Sequence, residues 1–206
     1  MLKPLNDFMR RIWFSGPLIL LLFLTACQPS SVVEVSIYTD RGTIDVAIDT
    51  VAAPVTAANF LSYVRADLYD GGSFFRVVRE DNQPADSIRI EVIQGGANPA
   101  LSDLFFDPVP LERTSETGLG HVDGVISMAR GTGHPDSATH SFFFTIGNQP
   151  SLDFGGMRNP DGQGFAAFGK VLSGMDIIRS IQADSTLSQS PQVLAEPVVI
   201  DSIRVH

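Results

Sequence analysis

The chain has 206 residues, a formal net charge of −9 at pH 7 and a hydrophobic fraction of 44%. That length suits one domain with a substantial core, and the acidic balance argues against a nucleic acid partner, whose phosphates need clustered Lys and Arg. Cys27 is the only cysteine, so no internal disulfide can form.

Residues 1–26 open with Lys3, Arg10 and Arg11, continue through the apolar run Leu18 to Leu24, and end in small residues. This is the three-part layout of a secretory signal. The apolar run is too short to span a bilayer, which takes about 20 residues. Leu24-Thr25-Ala26-Cys27 resembles the lipobox of bacterial lipoproteins, whose cysteine is acylated and becomes the new N-terminus. The resemblance implies a signal peptide over 1–26, a lipidated tether over 27–32 and a domain over 33–206. Removing the signal takes away three basic residues and Asp7, which moves the charge from −9 to −11. So acidic a body would not adhere electrostatically to anionic lipid, and membrane attachment rests on the lipid at Cys27. The implied location is the bacterial cell envelope, and Gln28, where an aspartate would retain the protein elsewhere, points to the outer membrane facing the periplasm.

Val33 to Tyr38 and Thr43 to Ile48 each alternate apolar and polar residues around Thr39-Asp40-Arg41-Gly42, which predicts a hairpin with one buried face. Pro54 then suits a first helical residue, and Ala57, Phe60, Leu61 and Val64 fall on one helix face over about three turns. Strands are predicted at Ser73 to Val78, Ile88 to Gln94, Gly124 to Arg130, Phe142 to Ile146, Phe165 to Val171 and Val198 to Val205, with a second helix at Met175 to Ile181. Many short strands with two helices predict a mainly β fold, an antiparallel barrel whose closure removes exposed edges. The connections at 79–87, 98–120, 131–140 and 147–164 hold most of the Gly, Pro, Asp and Asn, as functional or mobile loops do.

The usual chemistries find little support. His121, His134 and His140 lie near Asp123 and Asp136, but without metal-ligand spacing; surface or loop-capping histidines are expected and no metal. His140-Ser141 are adjacent, so in a strand they point to opposite faces, and no G-x-S-x-G elbow occurs. The pairs Gly71-Gly72, Gly95-Gly96 and Gly155-Gly156 lack a phosphate-loop lysine. A reaction that needs no acid, base, nucleophile, metal or cofactor suits this inventory best.

Several segments, in order, resemble the cyclophilin family of peptidyl-prolyl isomerases. They are Pro54 to Phe60, Ser73 to Val78, Val92-Ile93-Gln94-Gly95-Gly96, Gly124 to Ala129, Ser137-Ala138-Thr139 with Phe142-Phe143, and Phe168 to Val171. The resemblance implies a closed eight-stranded antiparallel barrel capped by two α-helices, acting on X-Pro bonds of proline-containing polypeptide clients. It implies Arg76 as the hydrogen-bond donor to the twisted amide, with Gln94 holding the substrate backbone and orienting Arg76. Phe143 would floor the proline pocket, Val92 and Leu152 would wall it, and Ala129 and Arg130 would lie beside the peptide.

The chain also departs from the family's pattern. A polar loop, 79–87, is inserted between Arg76 and Gln94; Glu91 stands where a pocket phenylalanine is common, Ser141 for a second glutamine, and Arg130 for an asparagine. Ser151 replaces a tryptophan seen in many eukaryotic members, and Phe165 replaces a pocket histidine. Reduced isomerase activity and weak cyclosporin binding are the expectations. The alternative is a proline-peptide-binding chaperone or assembly factor that keeps the groove without the catalysis.

Overall fold

The computed structural model describes residues 32–83 and 87–206; the expected signal over 1–26 and the lipidation site at Cys27 lie outside them. Strands β1 (Val32–Thr39) and β2 (Gly42–Asp49) form the predicted hairpin, paired from Val32 with Asp49 to Thr39 with Gly42. The two-residue connection leaves Gly42 at φ +129°, a conformation open to glycine and costly for other residues.

Helix α1 (Pro54–Arg65) starts on its proline, whose missing N–H costs nothing there. Its next amides are satisfied from far along the chain: the Glu112 carboxylate accepts the N–H of Val55 at 3.0 Å and of Thr56 at 2.7 Å. A carboxylate at this end also meets the positive pole of the helix dipole. The periodic residues Ala57, Phe60, Leu61 and Val64 are all buried.

The remaining elements are β3 (Gly72–Val78), β4 (Val92–Gly96), the one-turn helix α2 (Thr114–Thr117), β5 (Val125–Met128), β6 (Phe142–Thr145), β7 (Ala166–Ser173), α3 (Met175–Gln182), β8 (Thr186–Leu187) and β9 (Ser190–Val205). The sheet runs β1-β2-β7-β5-β6-β4-β3-β9, and β9 pairs back onto β1. This is the expected closed eight-stranded antiparallel barrel, with β8 added outside it on β9. Helices α1 and α3 contribute Phe60, Val64, Ile178 and Ile181 to a single core with the inward faces of the strands.

Aromatic packing dominates that core. Phe60, Tyr69, Phe74, Phe142, Phe144 and Phe168 are fully buried. Phe142 sits edge-on to Phe60, Tyr69, Phe74 and Phe144 at ring separations of 5.5 to 5.9 Å. Burying each such ring contributes about 1.5–3 kcal/mol by area alone.

Two elements differ from expectation. The strand predicted from Ile88 begins only at Val92, because Gln83 takes over the backbone of Ile90. Its buried side-chain amide accepts the Ile90 N–H at 3.2 Å and donates to the Ile90 carbonyl at 2.8 Å, as a neighbouring strand would. The last strand begins at Ser190 rather than Val198, because residues 190–194 pair with β8 on one side while Val193 pairs with Arg76 of β3 on the other.

Candidate active site

One rung of the barrel carries the site. Arg76 on β3 lies opposite Gln94 on β4, Gln94 opposite Phe143 on β6, and Phe143 opposite Ser127 on β5. Strand alternation turns Phe142 and Phe144 into the core and Phe143 out of it, into a second apolar cluster with Val78, Ile90, Val92 and Leu152. On β3 plain alternation fails. Phe74 pairs with Gly95 and Arg76 with Gln94, so Phe75 is an extra residue, a β-bulge. The bulge reverses the alternation, which leaves Phe74 and Val77 in the core and sends Arg76 and Val78 outward beside Val92 and Gln94.

This rung opens into a cavity of about 510 Å³ bordered by Arg76 and Gln94. Of the other expected site residues, Val92, Ala129, Arg130, Phe143, Leu152 and Phe165 all line it. Ser141 does not border it; its hydroxyl lies 3.5 Å from Nδ1 of His140. Nor does Glu91 lie in the cavity; its carboxylate is 3.5 Å from the Gln182 amide on α3, and the wall position belongs to Ile90.

The Arg76 guanidinium is fixed by two glutamines. Nη1 donates to Oε1 of Gln94 at 2.9 Å, while Nε and Nη2 both donate to Oε1 of Gln192, at 3.1 and 2.6 Å. Gln192 comes from the part of β9 that also pairs with β8, and sequence reasoning missed it. Its neighbour Val193 pairs with Arg76, so the register alone brings it to the site.

The opposite wall is built by the 154–164 loop, which supplies Arg158, Asn159 and Pro160. Arg130 pins that loop: Nη1 and Nη2 donate to the two carboxylate oxygens of Asp161, each at 2.8 Å, and Nε donates to the Gly164 carbonyl at 2.7 Å. Hydrogen bonding from Arg130 holds the Asp161 carboxyl below the usual carboxylate range. The guanidinium also lies 5.2 Å over the Phe165 ring, which meets Phe143 edge-on at 5.5 Å. A second tie runs from Nη1 of Arg158 to the Ile88 carbonyl, at 2.7 Å.

Of the histidines expected at the surface or capping loops, His121 departs by its burial, while His140 caps a backbone N–H. His121 is buried beneath Phe143, nearly parallel to it at 5.9 Å. Its Nδ1 is 2.7 Å from Oδ1 of Asp153 and its Nε2 is 2.9 Å from Oγ of Ser127. Burial pushes the Asp153 carboxyl upward, but hydrogen bonds from the His121 ring and backbone N–H outweigh it and leave the group lowered. This has the connectivity of a Ser-His-Asp triad, yet Ser127 is fully buried under Phe143, so no substrate carbonyl can reach its hydroxyl. The three side chains therefore support the pocket floor. Nδ1 of His140, the ring nitrogen nearest Ser141, already accepts the Ala97 N–H at 3.1 Å, so its lone pair is not offered to the serine; burial lowers that ring's pKa. Among the described residues no group of three or more His, Cys, Asp and Glu could hold a metal ion.

The arrangement sets the Arg76 guanidinium beside an apolar pocket, and among the described residues no nucleophile is assembled within reach of it. Comparison with known proteins agrees. Residues 34–205 match the family model described as cyclophilin type peptidyl-prolyl cis-trans isomerase/CLD. The chain is 33% identical over 190 residues to peptidyl-prolyl cis-trans isomerase A of Dickeya dadantii, covering 89% of this chain and 92% of that one. It is 30% identical over 173 residues to peptidyl-prolyl cis-trans isomerase B of Escherichia coli, covering 83% of this chain and 98% of that one. A crystal structure of a cyclophilin type isomerase from Cryptosporidium parvum shares the fold, with a TM-score of 0.62 at 21% identity over 85% of this chain and 98% of that one.

Proposed function

The chain belongs to the cyclophilin-type peptidyl-prolyl cis-trans isomerases, and from that premise we propose that Arg76 drives the reaction as donor to the proline nitrogen. Rotation about a peptide bond meets a barrier of about 18–20 kcal/mol because resonance stiffens the C–N bond. For X-Pro bonds the two isomers are close in energy but exchange over tens to hundreds of seconds. Halfway through the rotation conjugation is lost, the nitrogen turns pyramidal, and its lone pair accepts a hydrogen bond. A donor aimed at that lone pair binds the transition state better than either ground state, and each 1.36 kcal/mol so gained is tenfold in rate.

The observation that carries this reading is the placement of the Arg76 guanidinium, held by Gln94 at the edge of the pocket that Phe143 floors. Val92, Leu152 and Phe165 enclose the remaining apolar surface, which suits a proline ring. Gln94, Ala129 and Arg130 flank the peptide on either side of the ring. Arg130 is tied to Asp161 and acts as a strut for the loop wall, so its contribution to the peptide is shape rather than a mobile charge.

The clients are proline-containing segments of unfolded or flexible polypeptides in the bacterial envelope, and the chain is anchored there through a lipid at Cys27, on the outer membrane facing the periplasm. The signal-like start and the Leu24-Thr25-Ala26-Cys27 tetrapeptide support that placement. Metabolic labelling of the full chain with a radiolabelled fatty acid tests it: label should enter the parent and not Cys27→Ser, and an unlabelled parent would reject the anchor. Exchange spectroscopy on a proline reporter peptide tests the chemistry. Accelerated exchange supports the isomerase reading, whereas saturable binding at an unchanged exchange rate would make the chain a chaperone or assembly factor instead.

A further inference from the structure

A guanidinium on a strand can rotate about its side-chain torsions, and a donor that wanders is a poor catalyst, because orientation must be paid for before the transition state forms. Gln94 restrains one corner of Arg76, through Nη1 alone. A bond at one corner does not by itself define the plane of the group. Gln192 supplies a two-point contact that does: its Oε1 takes Nε and Nη2 together, along the edge of the guanidinium remote from Nη1.

The glutamine is itself held. Its Nε2 lies 3.4 Å from the Asn82 carbonyl, at the long limit of a hydrogen bond. The buried Asn82 side chain donates to the Val77 carbonyl on β3 at 3.1 Å and to the Pro191 carbonyl on β9 at 2.9 Å. One amide thus clamps the strand carrying Arg76 to the strand carrying Gln192. Asn82 lies in the polar insertion after Arg76, and Arg79 of the same insertion donates to the carbonyls of Gln182 and Asp184, at 2.7 and 3.0 Å, just ahead of β8. Both departures from a plain eight-stranded barrel, the insertion and the β8–β9 hairpin, meet at Gln192.

We propose that Gln192 is a positioning residue for catalysis, delivered by the β8–β9 hairpin and the Asn82 clamp to fix the plane of the Arg76 guanidinium. Its chemistry fits the task. A neutral amide oxygen orients the cation without cancelling the charge that must meet the proline lone pair, whereas a carboxylate at the same point would orient and neutralise it. The inference rests on the reading of Arg76 as donor.

The test is exchange spectroscopy on a saturating series of a proline reporter peptide, with kcat and KM separated, for the parent, Gln192→Ala, Gln192→Glu, Arg76→Ala and the Gln192→Ala/Arg76→Ala double variant. The expected result for Gln192→Ala is a roughly tenfold lower kcat at unchanged KM and melting temperature, the pattern of an interaction expressed in the transition state. The Nε–H signal of Arg76 in a nitrogen-15 spectrum should be protected in the parent, broadened in Gln192→Ala and restored in Gln192→Glu. In the Arg76→Ala background the second substitution should cost nothing more, since there is no guanidinium left to orient. A parent-like kcat for Gln192→Ala while Arg76→Ala is slow would overturn the positioning role alone. An equal loss on adding Gln192→Ala to Arg76→Ala would also overturn it, by showing a general structural effect. Arg76→Ala as fast as the parent would instead overturn the donor reading beneath it.

Discussion

Replacing Asp161 with asparagine puts a number on the loop wall. The Arg130 side chain is 1% exposed and the Asp161 side chain 19% exposed, and two bonds of 2.8 Å join them. Breaking a buried pair by removing one partner costs about 3–5 kcal/mol, and the partial exposure of Asp161 lowers the expectation here to about 2–3 kcal/mol. For a domain of this size that is a fall of about 4–12 °C in melting temperature. The asparagine would set an NH2 against a guanidinium N–H, so Arg130 loses one of its two bonds and the ion pair while keeping the Gly164 carbonyl, and the hold on Asn159 and Pro160 in the wall loosens. KM for a proline peptide should rise while kcat stays near the parent's, because Arg76 and its two glutamines are untouched. Removing both charges with Arg130→Met/Asp161→Leu should recover much of the stability, since the pair's main cost is an abandoned charge. The pH dependence has a definite sign. The folded carboxyl is lowered, so its contribution is complete above the unfolded value of about 3.9 and is lost as pH falls through the folded one. The gap between parent and Asp161→Asn should therefore be constant from neutral pH down to about pH 5 and close only in stronger acid. Thermal scans of both proteins across that range measure it. A melting temperature for Asp161→Asn within about a degree of the parent at pH 7 would refute the strut.

Phe143→Leu tests the pocket floor: it keeps most of the buried volume, so the protein should stay folded with a loss of roughly 1–2 kcal/mol, and titration calorimetry should show weakened proline-peptide binding. His140 makes stability fall in mild acid. Burial lowers its folded value, so the unfolded chain takes up the proton first, and stability declines as pH drops below about 6.5. Urea titrations at several pH values should show a shallower decline between pH 7 and 5 for His140→Asn than for the parent. Asn82→Ala leaves the carbonyls of Val77 and Pro191 without that donor and should cost about 1–3 kcal/mol in the same titrations.

Much of the barrel was legible in sequence because a half-buried strand repeats every two residues. Phe142-Phe143-Phe144 shows it at its plainest, two rings inward and one toward the site. Arg76 was legible only through resemblance, since simple alternation from the buried Phe74 would turn it inward; a bulge at Phe75, which no local pattern announces, sends it out. Gln192 lies 116 residues from Arg76 in a segment with no strand periodicity of its own, and only the register of β9 on β3 brings them together. The strand start at Val92 rather than Ile88 has a related cause. Gln83 satisfies Ile90 through its side chain, and a glutamine acting as strand backbone leaves no trace in hydrophobic spacing. No local spacing marks His121 apart from a surface or loop-capping histidine, because its burial depends on Asp153 and Ser127 arriving from other elements.

The proposed catalysis rests on the guanidinium of Arg76. The rate of cis-to-trans relaxation of a proline reporter peptide, measured with the described domain and its Arg76→Ala and Arg76→Lys variants, tests it most directly. Removing a charged donor aimed at the transition state should slow catalysis by roughly 100- to 1000-fold in Arg76→Ala, and lysine should recover little, because an ammonium cannot take up the planar two-glutamine seat. Relaxation by Arg76→Ala at the parent's rate would contradict the donor role of Arg76.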